Sequence, residues 1–86
     1  MEKLTSFTHR EKLNIKAKLP LIELAGTNRV LIENHQGVMA YSTCEIQIKV
    51  SYGCVTVKGS NLQLLEMSRI QLVICGSIEG LQLLGR

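Results

Sequence analysis

Residues 45–59, EIQIKVSYGCVTVKG, decide the fold class. Ile46, Ile48 and Val50 alternate with Gln47 and Lys49, and after Ser51-Tyr52-Gly53 the alternation resumes with Val55 and Val57 against Thr56 and Lys58. Side chains on an extended chain point to opposite faces at successive positions, so such a run has one apolar and one wet face. Two runs of this kind joined by a short Gly-containing connector read as an antiparallel hairpin.

The same grammar extends outward from this stretch. Leu62 and Leu64 flank Gln63, while Ile70, Leu72 and Ile74 alternate with Arg69, Gln71 and, less cleanly, Val73. From Leu21 onward the apolar stretches are Leu21–Ala25, Arg29–Asn34, Val38–Tyr41, Glu45–Val50, Cys54–Lys58, Leu62–Glu66, Arg69–Cys75 and Ile78–Leu84. Between them lie Ala25-Gly26-Thr27-Asn28, Asn34-His35-Gln36-Gly37, Ser51-Tyr52-Gly53, Gly59-Ser60-Asn61 and Gly76-Ser77, rich in residues that tolerate positive φ. No helix-length segment separates the strands, which argues against a parallel α/β sheet. The pattern therefore predicts an all-β domain, a small antiparallel meander, sandwich or roll of about seven to eight short strands. A β-solenoid shares the rhythm, but rung-defining identities are missing.

Residues 1–20 read differently and form a basic arm ahead of a β domain spanning 21–86. Lys3, Arg10, Lys12, Lys16 and Lys18 stand there against Glu2 and Glu11, so the formal charge of +3 sits wholly in the arm. Thr8-His9-Arg10-Glu11 fits a helix-capping box and predicts a short helix near 8–18, ended by Pro20. Leu13, Ile15, Ala17 and Leu19 are apolar at every second place, which predicts an extended arm instead. Either form suits contact with an anionic membrane surface or an acidic partner.

The chain is 86 residues long, enough for one domain. A chain this small buries about 60% of its unfolded surface, so partners add stability that its own core lacks. Aromatic residues are limited to Phe7, Tyr41 and Tyr52, so the core is aliphatic. Val73 and Cys75 on the nominally wet side, Val38-Met39-Ala40 and Leu81-Gln82-Leu83-Leu84 leave apolar surface that a single half-wet sheet does not need. Two packed sheets or a homo-oligomer would cover it. With neither an apolar run of membrane-spanning length nor a secretory leader pattern, a cytoplasmic location is expected.

Most site chemistry lacks its residues. The sequence contains no Asp, which removes most carboxylate pairs and Ca²⁺ or Mg²⁺ loops. Two histidines and three dispersed cysteines give no zinc spacing, no phosphate-binding glycine loop occurs, and no cofactor or metal is expected. Cys44, Cys54 and Cys75 read as reduced thiols filling small apolar positions. One enzymatic alternative stays open: a nucleophilic Cys44 or Cys54 activated by His35, with Glu33 or Glu45 orienting the imidazole. Against it, His35 is expected at the exposed tip of a hairpin. A nucleic-acid-binding module could stack bases on Tyr41 and Tyr52, but the β body is electrically neutral and no nucleic-acid partner is expected.

Residues 29–42, RVLIENHQGVMAYS, carry a resemblance. Ile32-Glu33-Asn34-His35 with Gly37, then Tyr41-Ser42, the Val57-Lys58-Gly59-x-Asn61-Leu62 segment and the Ile74-x-Gly76-x-Ile78-Glu79 ending resemble the YabP/YqfC family of sporulation proteins of endospore-forming Firmicutes. Arg10-Glu11-Lys12-Leu13 and Leu19-Pro20 are similar to the YqfC-type members. The family motif thus rests on Glu33, Asn34, His35, Gly37, Gly59, Asn61 and Gly76. The resemblance implies a non-enzymatic protein of the mother cell, acting in spore coat or cortex assembly. It further implies a membrane-associated sporulation protein as partner and a peripheral place at the forespore membrane.

Overall fold

A computed structural model describes residues 19–85. The helix expected near 8–18 and the basic residues Lys3, Arg10, Lys12, Lys16 and Lys18 lie outside the described residues. From Leu21 the chain forms six strands: β1 (Leu21–Ala25), β2 (Arg29–Glu33), β3 (Val38–Tyr41), β4 (Glu45–Val50), β5 (Gly53–Met67) and β6 (Gln71–Gly85). All pairings are antiparallel, in the order β1-β2-β6-β5-β4-β3. The all-β, antiparallel expectation holds, with fewer strands than the seven to eight expected.

The reduced number has one cause. Gly59-Ser60-Asn61 and Gly76-Ser77 look like turns in the sequence but are interior to β5 and β6, which form one hairpin of two 15-residue strands. Gly59 pairs with Ile78 and Ser60 with Ser77, then the register shifts before Gln63 meets Cys75. Asn61 sits there at φ 54° and Gly76 at φ 137°, so the ladder is interrupted by a bulge rather than ended by a turn. Close approach fixes both glycines. A Cβ on Gly76 would lie 2.6 Å from the Asn61 carbonyl oxygen and 2.9 Å from the Leu62 Cα, and one on Gly59 would run into the Ser77 carbonyl.

These bulges are the fold's hinge. β2 pairs with residues 71–75 of β6, whereas β4 pairs with residues 53–58 of β5. The two halves of the long hairpin thus belong to two four-stranded layers: β1, β2, the first half of β6 and the second half of β5, and then β3, β4, the first half of β5 and the second half of β6. Val30, Ile32, Leu72 and Ile74 of one layer and Ile46, Ile48, Val50, Val55 and Val57 of the other form a single cluster with Leu62, each at most 1% exposed. Strands so far apart in the sheet order share one dry core only if the sheet folds over at the bulges.

Chain reach requires the same fold-over. β2 and β3 are four strand-to-strand steps apart in the order, about 19 Å in a flat sheet at about 4.8 Å each. Asn34–Gly37 must join them, and five Cα-to-Cα steps span at most about 18 Å. The two layers are also built alike. The β1–β2 turn docks on the hinge through Gly76 N–H to Asn28 O (3.2 Å) and Ile78 N–H to Thr27 O (2.8 Å). The β3–β4 turn does so through Gly59 N–H to Cys44 O (3.0 Å) and Leu62 N–H to Thr43 O (2.9 Å).

Candidate functional site

Asn34-His35-Gln36-Gly37 links the two layers and is not the hairpin turn expected from the sequence, because β2 and β3 are not sheet neighbours. Asn34 (φ 63°) and Gly37 (φ 122°) do supply the positive φ values that Asn and Gly tolerate. Between them the backbone changes partner. Asn34 N–H donates to Ile70 O at the entry to β6, while Gln36 N–H donates to Lys49 O (2.7 Å) and Lys49 N–H to Gly37 O (2.8 Å) on β4. The Asn34 side-chain amide also donates to Leu19 O at 2.9 Å.

His35 is buried, 8% exposed, rather than carried at an exposed tip. Gly37 N–H donates to its Nδ1 at 3.0 Å, and its Nε2 lies 2.9 Å from Ser68 O. An Nδ1 that accepts leaves the ring proton on Nε2, which donates to the Ser68 carbonyl. The imidazole therefore pins the β2–β3 strap to the tip of the β5–β6 hairpin, 33 residues away in sequence. Both ring nitrogens are occupied by backbone groups. Cys44 Sγ lies 4.0 Å from Thr43 Oγ1 and Cys54 Sγ 3.8 Å from Thr56 Oγ1, so the structure does not join either thiol to His35 by a hydrogen bond. Glu33 ends β2, and the Glu45 carboxylate instead accepts from Gln47 Nε2 at 2.8 Å.

The strap yields a stability prediction. Replacing His35 with Phe keeps a flat ring but removes the partner of the Gly37 N–H and of the Ser68 carbonyl at a part-buried place, at about 0.5–1.5 kcal/mol for each lost bond. Urea unfolding is expected to show a loss of about 1–3 kcal/mol. An unchanged midpoint would show that the imidazole does not hold the strap.

Open cavities lie at two places among the described residues. One of about 450 Å³ lies over Glu23, Leu24, Ala25, Arg29 and Leu31 on the β1–β2 hairpin, and one of about 150 Å³ lies at Asn34, His35, Gln36 and Ile70. Among the described residues no group of three or more His, Cys, Asp or Glu side chains is placed to hold a metal ion, and no helix is long and apolar enough to cross a membrane.

The largest unassigned feature is apolar. Leu21 and Leu24 on β1, Met39 and Tyr41 on β3, Leu65, Met67 and Ile70 around the β5–β6 tip, and Leu83 and Leu84 at the end of β6 are all exposed. They lie along strand edges and strand ends, not on the middle of a sheet face. Sequence reading finds the surplus at Met39 and at Leu81–Leu84, but not its placement on edges, which needs the strand order. Such a surface is suited to strand pairing and apolar contact with another protein.

A search of curated proteins and one of solved structures each return no match to this chain. The model of the YabP family matches residues 16–86, which include both layers, the hinge and the His35 strap. Membership is consistent with a sporulation-related role. On that match, covering most of its length, the chain belongs to the YabP family.

Proposed function

We propose that this protein is a non-enzymatic β scaffold or adaptor in assembly of the spore envelope, coat or cortex, within the mother cell. It self-associates, and it docks to a membrane-associated sporulation protein at the forespore surface. The observation that carries this reading is the row of exposed apolar side chains along strand edges, beside a histidine whose two nitrogens are both engaged by backbone. Such a surface favours holding other proteins over transforming a small molecule. Lys3, Arg10, Lys12, Lys16 and Lys18 supply attraction to the anionic membrane at about 1 kcal/mol per basic residue near the surface.

Deletion of the gene in a spore former, followed by electron microscopy, tests the reading. The expected outcome is sporulation that proceeds through engulfment and then stalls with incomplete coat or cortex. Complementation with a full-length chain in which those five basic residues are changed to Gln is expected to restore the protein but not its place at the forespore. Spores of normal envelope in the deletion strain would sink the proposal. Rapid iodoacetamide labelling of Cys44 or Cys54 that His35→Asn abolishes would instead favour the thiol enzyme.

A further inference from the structure

Four stretches border the two layers. β1 and residues 62–67 of β5 border the layer containing β2, while β3 and residues 80–85 of β6 border the layer containing β4. Each border of the first layer carries a carboxylate, Glu23 in β1 and Glu66 in β5. The second layer is different. Its borders, Val38-Met39-Ala40-Tyr41 and Gly80-Leu81-Gln82-Leu83-Leu84-Gly85, contain no charged residue.

Natural sheets blunt their edges with charge, brevity or bulges; β3 is short and bulged at Met39, but neither border carries a charge and both keep apolar side chains exposed. Met39 is 57% exposed and Tyr41 53%, Leu83 57% and Leu84 47%. Among the described residues β3 pairs with β4 alone, and residues 80–85 with β5 alone. Among the described residues both borders therefore offer unpaired backbone donors and acceptors, with no charge on either to desolvate on approach.

We infer that a second copy of this chain occupies these borders, β3 of one molecule pairing with residues 80–85 of the next. The inference rests on the self-association proposed above and assigns its contact and geometry. Three observations select this occupant. The two borders match each other in lacking charge, whereas a β1 edge meeting its own copy antiparallel, centred on Glu23, would oppose two carboxylates. The layer has four strands in antiparallel alternation, so β3 and the end of β6 run in opposite directions. A copy added in the same orientation continues the antiparallel ladder and keeps the core on the same side. Finally, β3 pairing with β3 would leave residues 80–85 of both copies bare, whereas head-to-tail addition covers both borders of every internal copy. A head-to-tail contact between unlike edges generates an open chain when its rotation does not close. Because β3 has four residues, each joint is short and the chain is reversible.

Sedimentation of the full-length protein with single edge substitutions tests this, using Met39→Lys for one border and Leu83→Lys for the other. The wild type is expected to reach a mean mass of at least twice the 9.6 kDa of one chain as concentration rises. Either variant alone is expected to stay at 9.6 kDa, because each keeps one open border but lacks its complement. An equimolar mixture is expected to form a dimer and stop, since the intact residues 80–85 of one variant meet the intact β3 of the other. Far-UV circular dichroism checks that each variant folds, and Tyr41→Lys with Leu84→Lys provides a second pair of charges. A wild-type series that remains monomeric overturns both the inference and the self-association beneath it. Variants that associate as the wild type does overturn only the inference, placing self-association on another surface. A Leu83→Lys variant that still dimerises, with no added mass in the mixture, also overturns it and indicates β3-to-β3 pairing.

Discussion

Replacing Gly59 with Ala is expected to lower stability by about 3 kcal/mol or more. The new Cβ would run into the Ser77 carbonyl, with the Ser77 carbonyl carbon 3.0 Å away and the Ile78 Cα 3.2 Å away. These are backbone atoms of the paired strand, so no side chain can turn aside to relieve the overlap. The ladder would have to open at the hinge that also receives the Cys44 and Thr43 carbonyls. A domain of this size has a total stability of about 4–13 kcal/mol, so the loss is a large share of it. Gly80→Ala is the control, because a Cβ there meets nothing within 4 Å. Urea unfolding of both variants is expected to separate them by at least about 2 kcal/mol. Equal midpoints would mean that the close approach at Gly59 does not exist in solution.

The second large effect lies in the core. Ile48→Ala is expected to cost about 2–5 kcal/mol, the range for truncating a fully buried Ile, Leu or Met. Ile48 is 0% exposed on β4, in one cluster with Val30 and Ile32 of the opposite layer. The core is aliphatic throughout, and its wall is backbone-paired strand that collapses poorly into a void. Ile70→Ala offers the contrast: Ile70 is 57% exposed, and its truncation is expected to stay within about 0.5 kcal/mol in a monomer. A mild Ile48→Ala phenotype, below about 1 kcal/mol, would contradict the packing of the two layers against each other.

Much of this architecture is legible in local sequence. The runs at Leu21–Ala25, Val38–Tyr41 and Glu45–Val50 coincide with β1, β3 and β4, and Arg29–Asn34 differs from β2 by one residue. Alternation marks Ile46, Ile48, Val55, Val57, Leu72 and Ile74 as inward, and each is fully buried. Two features depend on partners distant in the chain. Gly59-Ser60-Asn61 has the composition of a turn, and only the strand opposite, at Ser77 and Ile78, makes it a bulge. His35 has the neighbours of an exposed loop residue, and only Ser68 with the returning Gly37 amide makes it an internal clamp. Periodicity reports which face a residue takes within a strand, but not which distant backbone will meet it.

The fold and the proposed role meet at the edges. Folding the sheet over at Gly59 and Gly76 places the aliphatic faces inside, so the apolar residues left outside are those on borders and tips. The self-association proposed above would cover the borders of one layer. Glu23 and Glu66 put a carboxylate on each border of the other layer, which disfavours joining there in the proposed arrangement.

The most direct measurement of self-association, the claim on which the scaffold role stands, is sedimentation of the purified wild-type chain over a wide concentration series. The expected result is a mean mass that climbs continuously above 9.6 kDa as concentration increases. A single species holding 9.6 kDa at every concentration would contradict it.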